Sequence, residues 1–305
     1  MISITNKVQG NLNRLREVKR EIYYQINDWS RILCQSNSIK KVVNQKEIRV
    51  VGLRRSGNHA IINWIRNQQT GKVCHLNNIR PDKNPYRNLY LHYQTEKLKQ
   101  ESIGNFSPKD CLIYSYEDYP LEAIATAEWE KKHDLYVGKS SKKYDILIIR
   151  DPLNLLASRF KRNLMNTKAN DWSVVDLWVA YAKEYLGETN YLSENKICIN
   201  YNRWFSEVKY RQYLALQLNF KFSDYGFRQV KIEGGGISFD GRKFNSSVRP
   251  INVLNRWQHF VDNREYRQLL NNRQLQEYCE KIFDYVPDTE VLFSNKMPRL
   301  KQPVA

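Results

Sequence analysis

The first residues whose types could do chemistry are 54–59, which read Arg-Arg-Ser-Gly-Asn-His. They follow the apolar run 48–53, which predicts a buried strand, and they precede apolar residues at helical spacing. A turn of this kind directs backbone N–H groups and a helix dipole at one spot, where an anion can bind. Arg54 and Arg55 add guanidinium donors for phosphate or sulfate oxygens. An ordinary strand-to-helix turn with solvated arginines is the alternative interpretation.

A second group begins at Arg150, directly after the most hydrophobic run of the chain. Asp151 can cap a helix, and Pro152 suits the first helical turn. Arg150 at the strand end and Ser158 two turns into the helix can converge on one phosphate, and Arg162 shares the helix face of Ser158. A capped helix with a solvated basic face is the alternative for this motif taken alone.

The elements that must position these residues alternate between strands and helices. The predicted strands are 48–53, 72–76, 110–116, 144–149 and 197–201, and the predicted later helices are 152–168, 172–187, 206–218 and 262–284, with 139–143 as a basic connector. Such alternation predicts an α/β fold, a doubly wound parallel sheet with helices on both faces and extra helices at both termini. Ligands of such sheets bind beyond the carboxyl ends of the strands. Arg55, Glu117, Arg150 and Tyr201 follow strand ends, so we expect them to share one edge.

Two segments make up the predicted domain organisation. Residues 1–45 form an amphipathic helical segment that we expect to pack on the domain, although its basic face would also suit an acidic membrane surface. Residues 46–305 form a single α/β domain, with a glycine-rich loop at about 233–243.

Composition favours an anionic partner. Lys and Arg number 49 against 32 Asp and Glu, a net charge of +17 that is spread along the whole chain. Such a charge suits nucleotides, acidic glycans, nucleic acid or an anionic membrane face. The five cysteines show no C-x-x-C spacing, which argues against a disulfide scaffold, and the apolar runs around Cys74, Cys111 and Cys198 predict buried thiols there. The sequence shows no apolar run of membrane-spanning length and no signal-peptide core, which predicts a cytoplasmic protein.

The two motifs together resemble the sulfotransferase family that uses 3′-phosphoadenosine 5′-phosphosulfate (PAPS). Residues 54–59 resemble that family's 5′-phosphosulfate loop, typically Pro-Lys-Ser-Gly-Thr-Thr, and Arg150 and Ser158, eight apart, resemble its 3′-phosphate motif. Tyr201 resembles the tyrosine of the adenine pocket, and a late basic loop of the family corresponds to the glycine-rich loop. The resemblance spans about 48–260. It implies that the PAPS-binding residues are Arg54, Arg55, Ser56, Gly57, Asn58, His59, Arg150, Ser158, Tyr201, Arg242 and Lys243.

The implied reaction is transfer of a sulfuryl group from PAPS to an acceptor hydroxyl, which we expect to lie on a glycan. Arg55 stands where the family usually has lysine, and Asn58 and His59 replace two threonines. Either of these two would act with Arg55 to stabilise the departing phosphate. Glu117 is the predicted base because carbohydrate-directed members use glutamate, with Asp118 as the alternative. This chemistry requires no metal.

Two other functions fit parts of the sequence. A P-loop nucleotide or sugar kinase would need the motif G-x-x-x-x-G-K-[ST]. The turn at 54–59 has neither the first glycine of that motif at the required spacing nor its lysine. A non-catalytic basic protein that binds a nucleotide or a polyanion is compatible with the charge of +17. Nucleic acid is the less favoured polyanion, and the sequence carries no signal for an oligomeric state.

Overall fold

Five parallel strands form the centre of the molecule. The computed structural model describes residues 2–34, 41–88, 95–169, 171–192, 194–227, 253–284 and 292, with side chains from residue 13 onward. The strands are β1 (Val42–Gly52), β2 (Val73–Leu76), β3 (Lys109–Glu117), β4 (Lys139–Ile149) and β5 (Ile197–Asn200). Their order across the sheet is β2-β3-β1-β4-β5, and every neighbouring pair is parallel. The predicted α/β fold with a parallel sheet is confirmed.

The helices alternate with these strands. They are α1 (Ile2–Leu33), α2 (Asn58–Asn67), α3 (Glu96–Ser102), α4 (Leu121–Ile124), α5 (Ala127–Val137), α6 (Pro152–Phe160), α7 (Val174–Leu186), α8 (Tyr201–Ser206), α9 (Val208–Gln217), α10 (Arg264–Leu270) and α11 (Arg273–Phe283). Short 3₁₀ turns lie at Pro85–Arg87 and Arg256–Phe260.

Two apolar cores cover the two faces of the sheet, because successive strand residues point to opposite sides. In β1, Ile48 and Val50 belong to the core that also holds Ile61 and Trp64 of α2. Val51 belongs to the other core, with residues of α5, α6 and α7. Helices therefore pack on both faces, as the sequence predicts, and the carboxyl ends of the strands meet at one edge.

Several predicted boundaries are wrong. Residues 139–143 are the first part of β4 rather than a connector, and β1 begins at Val42, because the polar starts of these two strands pair with each other. The helix predicted at 152–168 ends at Phe160, where the N–H of Leu164 donates to the carbonyl of Arg159 and Asn163 adopts a positive φ of 52°.

Other predicted elements begin or divide at different residues. Tyr201 opens α8 rather than closing β5. The helix predicted at 206–218 begins at Val208 after a break at Glu207, and the one predicted at 262–284 is divided between α10 and α11 at Asn272, which caps α11.

The C-terminal half of α1 lies on the domain through polar contacts. Arg31 donates from Nη1 to the carbonyl of Leu135 (2.9 Å), and Asp28 forms an ion pair with Arg87. Many apolar residues of α1 face outward instead: Leu15, Ile22, Trp29 and others are more than half exposed. Among the helices that the structure describes, none combines the length and apolarity needed to cross a bilayer.

Candidate functional site

The turn between β1 and α2 forms an anion cradle. Gly57 precedes α2 with φ 93°, and a Cβ at that position would lie 2.1 Å from the ring of Tyr201, so only glycine fits. The hydroxyl of Ser56 is buried and lacks a hydrogen-bond partner in the described chain. The N–H groups of Asn58 and His59, the first of α2, donate to no backbone acceptor within the same residues. Such a set of unmatched donors at a helix N-terminus suits a phosphate or sulfate.

The second motif lies against this turn. Ser158 is fully buried, and its Oγ accepts from Arg55 Nε (3.0 Å) and from Arg256 Nη1 (3.2 Å). Arg150 is 2 % exposed; its Nη1 donates to the carbonyl of Arg55 (3.0 Å) and its Nη2 to the carbonyl of Val253. The structure therefore brings together the two motifs that the sequence separates by nearly a hundred residues, with Arg55 in contact with both.

The first turn of α6 holds this arrangement in place. Asp151 caps α6 by accepting from the N–H of Asn154 (2.7 Å). Asn154 in turn donates to the carbonyl of Leu254 (2.7 Å) and accepts from the N–H of Arg256 (2.7 Å). The capped start of α6 thus holds the backbone at residues 254–256 and places the Arg256 side chain within hydrogen-bond distance of Ser158.

Positive charge is concentrated at this point. Burial lowers the pKa of Arg55, and the neighbouring charges of Arg150 and Arg162 lower it further, while Glu117 raises it. Arg256, which contacts the same serine, is also buried. Buried guanidinium groups that repel one another are stabilised by an anion placed between them.

Glu117 lies beside the cradle. It ends β3 opposite Gly52 of β1, and its Oε1 accepts from Asn58 Nδ2 (2.9 Å). The same amide donates to the carbonyl of Leu53 (3.1 Å), so Asn58 links the carboxylate to the turn. His59 Nε2 is 3.9 Å from Glu117 Oε1, and the His59 side chain is 39 % exposed. Glu117, Asn58 and His59 therefore occupy one side of the anion cradle.

Asp118 has different surroundings from its neighbour. It is fully buried with φ 63°, its Oδ1 accepts from Arg159 Nη1 (2.7 Å), and its Oδ2 forms an ion pair with Arg54. It also accepts from the backbone N–H of Arg54 (2.8 Å), and Arg54 Nη2 donates to the carbonyl of Asn166 (2.8 Å). These contacts indicate that Arg54 and Asp118 position the turn, since both side chains are committed to protein partners.

Tyr201 lies between the two motifs. Its ring packs against Gly57, and the guanidinium of Arg150 lies over the ring with its carbon 5.0 Å from the centroid. Phe205 stacks on the ring at 6.2 Å. The structure thus places Tyr201 at the site, and its contact with adenine stays a prediction. Arg242 and Lys243, with the glycine-rich loop, lie outside the described residues.

Sequence reasoning missed two cations of this edge. Arg256 lies beyond the glycine-rich loop, and nothing in the sequence around it predicts a contact with Ser158. Lys168 follows α6; its N–H donates to the carbonyl of Asp118 (3.0 Å), its Nζ donates to Asn78 Oδ1, and it lies 4.4 Å from the ring centroid of Tyr119. The pKa of Lys168 is lowered, because the effect of burial exceeds the opposing effect of the charges on Glu117 and Asp118.

Over the described ranges, no group of three or more His, Cys, Asp or Glu side chains is placed to hold a metal ion.

Comparison with solved structures finds likenesses to this chain. No family model matches the chain, and no curated protein matches it. The chain is similar to a solved structure of the mouse sulfotransferase SULT7A1 complexed with PAP, with 15 % sequence identity and a TM-score of 0.39; the match covers 80 % of this chain and 95 % of that one.

Proposed function

We propose that the protein is a sulfotransferase that uses PAPS as its donor. The observation that carries this proposal is the contact of Arg55 with Ser158, which joins a phosphate-type turn to a second buried cationic cluster at one sheet edge. Two adjoining anion sites suit a nucleotide with phosphate groups at both the 3′ and 5′ positions. A triphosphate would instead require a single extended cradle with its lysine and a metal-binding carboxylate.

The residues present fit this donor. The buried hydroxyl of Ser56 lacks a partner in the described chain, and with the N–H groups at the start of α2 it would hold the phosphosulfate end. Arg150, Ser158 and Arg256 would hold the 3′-phosphate, and Arg150 Nε likewise has no partner among the described residues. When bound, PAPS supplies the sulfuryl group and a phosphate leaving group.

Three residues of the chain would serve the chemistry. Glu117 Oε1 would accept the proton of the acceptor hydroxyl as the acceptor oxygen forms its bond to sulfur. Arg55 would stabilise the negative charge that develops on the phosphate oxygen as the sulfur–oxygen bond breaks. Asn58, which bonds Glu117 Oε1 at 2.9 Å, would orient the carboxylate. His59, whose Nε2 is 3.9 Å from Glu117 Oε1, would interact with the carboxylate or with the transferred group.

The proposed acceptor is a carbohydrate hydroxyl. A carboxylate base supports this class, and the cationic Lys168 beside Glu117 and Asp118 suits a sugar that carries acidic groups. A cytoplasmic location is part of the proposal, and it is supported by the cysteines: all five are described, and all five are free thiols.

The test is binding of adenosine 3′,5′-bisphosphate, followed by sulfate transfer from labelled PAPS to a panel of hydroxyl acceptors. In Ser158→Ala the affinity for the bisphosphate should fall about tenfold to a hundredfold, because a hydrogen bond to a charged group is lost. Affinity for adenosine 5′-monophosphate, which has no 3′-phosphate, should change little. Transfer should collapse in both Ser158→Ala and Arg150→Ala.

A matched control is Arg273→Ala, which removes an arginine whose side chain is 91 % exposed on α11. It should bind and transfer like the wild type, and circular dichroism should show that all three variants are folded. Wild-type affinity for the bisphosphate in both Ser158→Ala and Arg150→Ala would contradict the proposal. Binding of the bisphosphate without transfer to any acceptor, and with no effect of Glu117→Gln, would favour a non-catalytic binder.

A further inference from the structure

An apolar stripe on α1 faces away from the domain. Its members are 51 to 75 % exposed, which is unusual for large apolar side chains on one helix face. The stripe consists of Leu15, Val18, Ile22, Ile26, Trp29 and Leu33. At 100° per residue these positions fall within one quarter of the helix circumference, so they form a continuous apolar surface (the α1 stripe).

The opposite side of α1 is fixed to the domain. Tyr24 is 4 % exposed, and the guanidinium of Arg87 lies 4.1 Å from its ring centroid. Arg87 also donates to both carboxylate oxygens of Asp28 (2.7 and 2.6 Å), and Arg31 donates to the carbonyl of Leu135. Because these contacts orient the helix, the α1 stripe cannot turn inward without breaking a half-buried ion pair.

Charge is distributed unevenly around the same helix. In projection, exposed basic side chains border the stripe on both sides, Lys19 on one and Arg14 on the other, with Arg16 beyond Lys19. In projection the acidic residues Glu17, Glu21 and Asp28 lie farther from the stripe than Arg14 and Lys19. Asp28 pairs with Arg87, and Glu21 is 3.9 Å from Lys83. An apolar surface that contains tryptophan and has a basic border is the pattern of helices that lie in a membrane interface.

A second copy of the chain is a poorer occupant. A parallel coiled coil would place Leu15, Val18 and Ile22 in its seam, and Gln25 would then occupy a core position. The flanking pair in that register is Arg14 against Lys19 of the other copy, which repel each other. An anionic surface attracts these basic side chains, whereas the same side chains of a second copy repel them.

We propose that the α1 stripe and its basic border dock the protein onto an anionic membrane surface, with α1 lying in the plane of the interface. The apolar residues enter the boundary between headgroups and acyl chains, and Arg14, Arg16 and Lys19 contact the acidic headgroups. This inference stands independently of the sulfotransferase proposal, because none of its residues belongs to the candidate site.

The test is co-sedimentation of the full chain with vesicles of phosphatidylcholine, alone or with added phosphatidylglycerol. The wild type should bind the anionic vesicles more tightly, and binding should weaken as salt is raised. The double variant Ile22→Glu/Trp29→Glu should lose binding by at least about tenfold, because two charges would enter the apolar boundary. Arg14→Gln/Lys19→Gln should weaken binding by about five-fold per residue at low salt.

The matched control is Leu216→Glu, which places the same charge at a leucine 75 % exposed on α9, outside the stripe. Its vesicle binding should equal that of the wild type. Equal binding to both vesicle types, or unchanged binding in Ile22→Glu/Trp29→Glu, would overturn the proposal. So would a wild-type dimer in light scattering that the double variant dissociates while neither protein binds vesicles, since the stripe would then be a contact between copies.

Discussion

Two adjacent carboxylates at the end of β3 have different partners. Asp118 is fully buried and holds Arg54 and Arg159 in a network of charged hydrogen bonds. Glu117 accepts from the amide of Asn58, and His59 Nε2 lies 3.9 Å from its Oε1. A general base must be able to take a proton from a substrate, whereas both carboxylate oxygens of Asp118 are already bonded to arginine side chains. The geometry therefore favours Glu117 as the base.

Paired substitutions separate these two roles. Glu117→Gln should lower kcat about a hundredfold to ten-thousandfold, since general base catalysis is removed, while bisphosphate affinity and stability stay near wild type. Asp118→Asn should lower the free energy of unfolding by about 3–5 kcal/mol, because Arg159 would be left buried without its counter-charge. Transfer assays and urea unfolding measure the two effects.

Glu122→Gln is the control, since this carboxylate lies near the same strand end on α4 but is exposed. It should resemble the wild type in both assays. Glu117→Gln with full activity, or Asp118→Asn with full stability and a selective loss of kcat, would reverse the assignment.

At the scale of elements, the sequence predicts those strands and helix starts that a local residue pattern determines. The apolar centres of the strands and the capped start of α6 are local features, and the structure contains them where the sequence indicates. The polar first halves of β1 and β4 cannot be predicted from a local pattern, because their strand conformation depends on pairing with each other. Arg256 was missed for a related reason: its position is set by Asn154, a hundred residues away in sequence.

Buried ionisable residues also connect the elements. His133 of α5 bonds Glu47 of β1 through Nε2 (2.7 Å) and Asp134 through Nδ1 (2.7 Å). Burial opposes the charge on His133, but Glu47 and Asp134 outweigh it and raise its pKa from 6.5 to about 9. Burial likewise opposes the charge on Glu47, yet His133, Ser140 and Tyr114 lower its pKa.

This pair predicts a pH dependence of stability. Because the pKa of His133 is raised on folding, its contribution is complete below its ordinary value of 6.5 and is lost as pH rises through about 9. The pKa of Glu47 is lowered, so its contribution is present above 4.5 and is lost as pH falls. Urea unfolding of the wild type should therefore show the free energy of unfolding falling by up to about 3 kcal/mol as pH rises from 6.5 to about 9, the ordinary and the raised pKa of His133.

His133→Gln should be less stable at pH 6 and should lose most of this slope, since its side chain does not titrate. The control His259→Gln changes an exposed histidine and should keep the slope. A wild-type free energy of unfolding that rises between pH 6.5 and 9, or an unchanged slope in His133→Gln, would contradict the assignment of the charge to this pair.

At the scale of the whole molecule, function and stability oppose each other at the carboxyl edge of the sheet. The cluster around Ser158 buries guanidinium groups next to one another, and the turn at Ser56 buries a hydroxyl that has no partner among the described residues. Repulsion and unmet hydrogen bonds both destabilise the folded state. Under the proposed function an anion occupies this edge, so the stability of the folded state should depend on it.

Thermal unfolding should report this dependence directly. At a bisphosphate concentration of about 100 times its Kd, linkage stabilises the native state by about 2.7 kcal/mol. For a chain of 305 residues, that corresponds to a rise in Tm of about 4 °C. Adenosine 5′-monophosphate at the same concentration should raise Tm less, because it leaves Arg150 and Arg256 without an anion. The shift should shrink in Ser158→Ala and persist in Arg273→Ala. An equal rise with both nucleotides would mean that the cluster around Ser158 does not bind a 3′-phosphate.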